Sequence, residues 1–179
     1  MSGRGDRVEI APVPVPADLK SMPPLDLRAA LDALLADYVY VLDEDVLDQW
    51  PDFFVDDCLY KIIPRENFEM DLPLAVLSCE GRGMLMDRVT AIRETLLFEP
   101  RALRHITSGM RVSGIERDGS VRVQTNYVVY ENTADETNNV FSVGRYLDRV
   151  VSDDGRLKYA EKLCVFDTSV IYTSLIYPI

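Results

Sequence analysis

The chain has 179 residues, 47% of them apolar, enough for one domain with a sizeable core. Its formal net charge of −11 excludes binding to a phosphate backbone or an anionic membrane, since both need clustered Lys and Arg. That charge is either a solvated acidic face or the counterpart of a basic protein partner.

No run approaches the roughly 18 consecutive apolar residues of a membrane span, and the first residues lack the apolar core of an export signal. Cys58, Cys79 and Cys164 are odd in number and far apart, with no CxxC. They read as reduced core thiols of a cytoplasmic protein.

Pro12, Pro14 and Pro16 alternate with Ala11, Val13 and Val15, which predicts an extended arm over residues 1–24. The arm either hangs free or lies along a neighbouring subunit. A single domain over residues 25–179 follows. Pro24-Leu25-Asp26 opens a helix carrying Leu27, Leu31, Leu34, Leu35, Tyr38 and Leu42 on one face. Residues 43–50 predict a second, short helix stopped by Pro51, with Asp43 or Asp45 as its N-cap. A strand ended by Pro64, a loop over residues 65–72 and a short strand over residues 73–79 come next. After Gly81 and Gly83, the spacing of Leu85, Val89, Ile92 and Leu96 marks a third helix.

From His105 onward the period changes to two. Asp118-Gly119 is a two-residue hairpin signal, and Val121, Val123, Thr125, Tyr127 and Val129 form one face of the strand after it. Residues 131–139 predict a loop, 140–151 a strand, and Asp153-Asp154-Gly155 a turn. In the last strand Leu157, Tyr159, Glu161, Leu163 and Val165 share one face, with Lys158, Ala160, Lys162, Cys164 and Phe166 on the other. Helices first and long strands later indicate an α+β fold: a curved antiparallel sheet wrapped around the N-terminal helices.

His105 is the single histidine. A mononuclear iron site of the two-His-one-carboxylate kind cannot be assembled within one such chain, nor can a Rieske cluster, which needs two Cys and two His. Gly81-Arg82-Gly83 is too short for a dinucleotide fingerprint, and no Gly-Lys-Ser/Thr occurs. The expectation is a chain with no catalytic, cofactor-binding or metal-binding residue of its own. The competing reading is cofactor-free proton transfer at His105, with Tyr127, Tyr146 or Tyr159 as partner. Against it, His105 serves as a hydrogen-bonding residue in a subunit contact or helix–sheet seam. A third reading is a scaffolding module with an empty interior.

The stretch Trp50-Pro51-Asp52-Phe53-Phe54 to Cys58-Leu59-Tyr60 resembles the first-strand region of small (beta) subunits of Rieske-type aromatic-ring-hydroxylating oxygenases. So do Gly83-Met84-Leu85-Met86-Asp87-Arg88-Val89-Thr90-Ala91-Ile92-Arg93-Glu94, then Arg104-His105-Ile106, then Gly144-Arg145-Tyr146-Leu147-Asp148, then Gly155 and Val165-Phe166-Asp167-Thr168. Their order and spacing carry the signal, from about residue 27 onward. Within the family the chain looks closest to partners of terephthalate, salicylate, anthranilate and benzoate hydroxylases.

The resemblance implies the cone-shaped fold of nuclear transport factor and ketosteroid isomerase, and a non-catalytic structural role in aromatic-compound catabolism. It also implies a hexamer of three catalytic alpha and three small subunits. The Rieske 2Fe-2S cluster and mononuclear Fe(II) would sit in the large subunit, with electrons from NADH through a reductase. A cofactor-free isomerase or dehydratase on the same cone is the alternative. The candidate subunit interface is Arg88, Arg93, Arg101, Arg104 and His105, together with Tyr172, Leu175, Ile176 and Tyr177 of the apolar run over residues 170–179, which either covers the domain's own sheet or crosses into a neighbour. The arginines are expected to meet carboxylates of the large subunit.

Overall fold

A computed structural model describes residue 10 and residues 12–95, 101–133, 139–168 and 177–179. Pro24 at the first helical turn, where no amide donor is needed, starts α1 (Pro24–Asp43). Leu27, Ala30, Leu31, Leu34, Leu35, Tyr38, Val41 and Leu42 form its buried stripe at the spacing of an amphipathic helix. The short helix expected next is displaced. Asp45 takes a positive φ of 54°, which breaks the path, and a 3₁₀ helix, Leu47–Phe53, follows with Pro51 inside it. Neither Asp43 nor Asp45 caps it; Val46 stands at that position without a side-chain bond.

Strand β1 (Phe54–Pro64) leads into a short helix, α2 (Arg65–Glu69), within the expected loop, then β2 (Leu77–Glu80) and α3 (Arg82–Thr95). Leu85, Val89 and Ile92 are the buried stripe of α3. Four long strands complete the chain: β3 (Arg101–Ile115), β4 (Val121–Thr133), β5 (Asn139–Asp153) and β6 (Arg156–Phe166). The β5–β6 turn places Asp154 and Gly155 both at positive φ, 49° and 75°, the geometry that matches the twist of a two-residue hairpin.

One six-stranded curved sheet results, in the order β2-β1-β6-β5-β4-β3. Its pairings are antiparallel, as expected, except β1 with β6, which run parallel. The helices fill its concave side, and the core joins both layers. The arm packs on this same domain from Val15 onward. The Val15 amide donates to the Gly155 carbonyl at 2.9 Å, and Val15 and Leu19 enter the core.

The last strand changes phase. Arg149 pairs with Glu161 but Val150 pairs with Tyr159, so Ala160 is an extra residue, a β-bulge. Leu157 and Tyr159 point inward before it; Lys162, Cys164 and Phe166 point inward after it. The single-face assignment of Leu157 through Val165 is therefore corrected: Glu161 turns outward and bonds Arg122 and Arg149.

Candidate functional site

The cone interior is where a pocket would be sought, and side chains fill it. Trp50, Tyr38, Tyr60, Tyr127, Tyr146, Tyr159, Phe54 and Phe166 are fully buried. Edge-to-face contacts link them: Trp50 to Tyr60 at 5.1 Å and Tyr38 to Tyr159 at 5.5 Å between centroids, with Tyr127 stacked on Tyr146 at 4.4 Å. Among these rings lies the ammonium of Lys162, with no side-chain exposure. It is 3.9 Å from the Tyr146 centroid, 4.3 Å from Tyr159 and 4.4 Å from Tyr38. Its counter-charge is Asp148, at 3.2 and 3.3 Å. Burial raises the Asp148 carboxyl above the usual range, and Lys162 offsets part of that rise.

Ile179 completes the filling. Its main-chain oxygen accepts from the Tyr38 hydroxyl at 2.9 Å, the Tyr60 hydroxyl at 3.0 Å and the Cys164 thiol at 3.3 Å. Its amide donates to the Tyr60 hydroxyl at 2.9 Å, and its side chain is buried. Sequence reasoning missed Lys162 and Asp148 as interior residues. Period-two counting could not find Lys162 because the bulge shifts the count.

A second cluster forms where α1 ends. Asp43 Oδ1 lies 2.6 Å from His105 Nδ1, and both its oxygens accept the His105 amide, at 3.1 and 3.0 Å. The two side chains are 4% and 0% exposed, and His105 Nε2 has no hydrogen-bond partner among the described residues. A carboxylate on Nδ1 fixes which way the imidazole faces, the arrangement that orients a general base. No bond joins His105 to Tyr127, Tyr146 or Tyr159; the Tyr127 hydroxyl instead meets Ser142 Oγ at 3.2 Å.

Of the candidate interface residues, three converge on the acidic run at 43–45. Arg93 meets the Asp45 carboxylate at 2.9 Å and its carbonyl at 2.6 Å. Arg104 meets Glu44 at 3.3 Å and Asp43 at 3.7 Å, and His105 joins them through Asp43. These two arginines thus hold carboxylates of their own chain. Arg88 is half-buried on α3, Arg101 opens β3 opposite Thr133, and Tyr177 packs against the core. Tyr172, Leu175 and Ile176 lie outside the described residues.

A cavity of about 450 Å³ lies between the arm, α1 and the start of β6. Its lining includes Pro12, Val13, Ala33, Asp37, Phe53 and Arg156, and neither His105 nor Lys162. Among the described residues no group of three or more His, Cys, Asp and Glu could hold a metal ion. With one histidine in the sequence, the donor set does not fit a Rieske cluster or a mononuclear iron. Among the described residues no helix is long and apolar enough to cross a membrane.

A family model described as "Ring hydroxylating beta subunit" matches residues 38–173. The chain is 38% identical to the anthranilate 1,2-dioxygenase small subunit of Burkholderia cepacia, over 79% of this chain and 88% of that one. It is 31% identical to subunit beta 1 of the terminal oxygenase component of terephthalate 1,2-dioxygenase from a Comamonas species, over 82% and 95%. In three dimensions it is similar to a beta subunit assigned to an aromatic-ring-hydroxylating dioxygenase of Novosphingobium aromaticivorans, with TM-score 0.78 and 36% identity. That likeness covers 87% of this chain and 98% of the other.

Proposed function

The chain belongs to the ring hydroxylating beta subunit family, and from that premise we propose that it is the non-catalytic, structural subunit of a multicomponent oxygenase acting on a carboxylated aromatic ring. One observation carries the non-catalytic part: the position a substrate would take in the cone is filled by Tyr38, Tyr60, Lys162 and Ile179. The relatives' names, anthranilate and terephthalate dioxygenase, support the substrate class. The large alpha subunit carries the Rieske 2Fe-2S cluster and the mononuclear Fe(II), fed with electrons from NADH by a reductase. Three alpha and three beta subunits assemble in the cytoplasm.

Exposed apolar side chains supply docking area. Ile106, Tyr130 and Val140 sit on the outer face of β3, β4 and β5, and Met70, Leu72, Leu74 and Val76 precede β2. Surfaces of this kind become the apolar core of a subunit interface. Arg88, Arg93, Arg101, Arg104 and the run containing Tyr172, Leu175, Ile176 and Tyr177 belong to that interface, with His105 behind Arg104 holding Asp43 in place. Co-expression with the large subunit, followed by native mass and iron analysis, tests the reading. An iron-containing hexamer of two chain types is expected; a solitary chain that turns over a substrate would overturn it.

A second reading has one observation in its favour, the oriented His105 with its unpartnered Nε2. It makes the chain a cofactor-free isomerase or dehydratase. Turnover by the isolated chain that disappears in His105→Ala would establish it. The expected result is no turnover in either, with the variant losing stability only.

A further inference from the structure

Two small residues on α1, Ala30 and Ala33, leave room for the cavity of about 450 Å³ beneath the arm. That volume lies within the range of small-molecule pockets. Leu34, Phe53 and Leu157 give it apolar walls, and Ile10, Pro12 and Val13 of the arm add another. The chain just after that last wall is pinned. Val15 bonds Gly155, Leu19 is buried, and the Lys20 ammonium donates to the Arg117 carbonyl at 2.8 Å.

Four charged side chains line the same cavity, and two of them are already paired. Asp52 meets Arg82, and Lys158 meets Asp153 at 2.6 Å. The side chains of Asp37, from α1, and Arg156, from β6, have no hydrogen bond or ion pair among the described residues, with each other or with any other group. Burial raises the Asp37 carboxyl above its ordinary range, as expected of a carboxylate partly withdrawn from water without a partner. A guanidinium selects a carboxylate, and an unanswered carboxylate selects a hydrogen-bond donor. An apolar hollow holding one of each is complementary to a ring that carries both groups.

We infer that this cavity binds a small aromatic acid bearing an amino or hydroxyl group, with its carboxylate on Arg156 and its donor on Asp37. The ring takes the apolar space against Phe53 and the arm. Neither the Asp43–His105 pair, nor Lys162, nor any residue of the candidate interface lines the cavity. The site therefore stands whether or not the assembly described above is correct.

Isothermal titration of the full chain with 4-aminobenzoate tests it. One saturable site is expected, with weaker binding of benzoate, which lacks the donor, and of 4-aminobenzamide, which lacks the charge. Arg156→Gln should lower the affinity for 4-aminobenzoate roughly tenfold or more. Arg156 is exposed, so this variant should fold, and circular dichroism checks that it has. Asp37→Ala should erase the preference for 4-aminobenzoate over benzoate. Removing residues 1–13, which keeps the Val15 bond to Gly155, should weaken binding. Absence of a saturable site would overturn the inference. So would equal binding of benzoate or 4-aminobenzamide, or indifference to Arg156→Gln. Unchanged or tighter binding after removal of residues 1–13 would also overturn it, the tighter case making the arm itself the occupant.

Discussion

Replacing Lys162 by Met removes one charge from a pair that has no contact with solvent. Asp148 would remain, 3% exposed, with its principal partner gone and burial already raising its pKa. Breaking a buried ion pair from one side costs about 3–5 kcal/mol, because the remaining charge must be neutralised or stay desolvated. Loss of the contacts with Tyr38, Tyr146 and Tyr159 adds about 0.5–2 kcal/mol. Set against a total stability of about 5–15 kcal/mol, the change is severe. In a domain of this size each kcal/mol shifts the melting temperature by about 2–4 °C, so a fall of roughly 7–28 °C is expected. Thermal and urea unfolding followed by circular dichroism measure it. The double variant Lys162→Met/Asp148→Leu should regain most of the loss, since an apolar pair of similar volume in such a site is neutral or stabilising. A single variant costing under about 1 kcal/mol, or a double variant as unstable as the two losses added, would refute the reasoning.

At Gly144 an added Cβ would lie 2.1 Å from the Val165 carbonyl oxygen, so Gly144→Ala must push β5 and β6 apart. A loss of about 3 kcal/mol or more and a lower soluble yield are expected, and an unchanged urea midpoint would contradict this. Asp43→Ala strands the His105 amide and ring together and should cost about 2–4 kcal/mol in urea unfolding; His105→Ala, which leaves the carboxylate the amide at position 105 and the Arg104 guanidinium, should cost less. Stability should fall with rising pH above about 9. Burial raises Cys164 from 9.0 to about 12, so between those values the unfolded chain gives up a proton that the folded chain keeps. The contribution is complete below the unfolded value and is lost at up to about 1.4 kcal/mol per unit above it. The buried tyrosines act in the same direction at higher pH, and a urea midpoint that is flat or rising from pH 9 to 11 would refute this.

What could be read from the chain was whatever depends on local spacing. The stripe from Leu27 to Leu42 fixed α1, and Asp154-Gly155 fixed a two-residue hairpin. At Asp118-Gly119 a hairpin also forms, but the Glu116 amide meets the Ser120 carbonyl and only Gly119 takes a positive φ, so its loop is one residue longer than the dipeptide signal predicts. The alternation of Val121 to Val129 likewise survives intact in β4. The failures are positions set by distant partners. Asp43 and Asp45 looked like caps, but three positively charged or polar groups from α3 and β3 claim their oxygens. Ala160 carries no bulge signature of its own; only the mismatch of β5 against β6 creates one, and it inverts the environments of Glu161 and Lys162. The order of elements already gave a curved sheet wrapped around the helices, and the resemblance to a known family supplied its cone shape. Period and spacing say nothing of Ile179, whose place depends on hydroxyls and a thiol from α1, β1 and β6.

The parallel seam between β1 and β6 has a consequence for biogenesis. Leu59 rests against Glu161 and Ile63 against Val165, so the first strand to leave the ribosome waits for the last before its edge is satisfied. Until then Trp50, Phe54 and Tyr60, all wholly enclosed in the finished molecule, have no sheet to cover them. Pairings this distant in sequence form slowly and leave sticky surface open to wrong neighbours. During synthesis, the span between those two strands is the window in which a chaperone has most to offer this polypeptide.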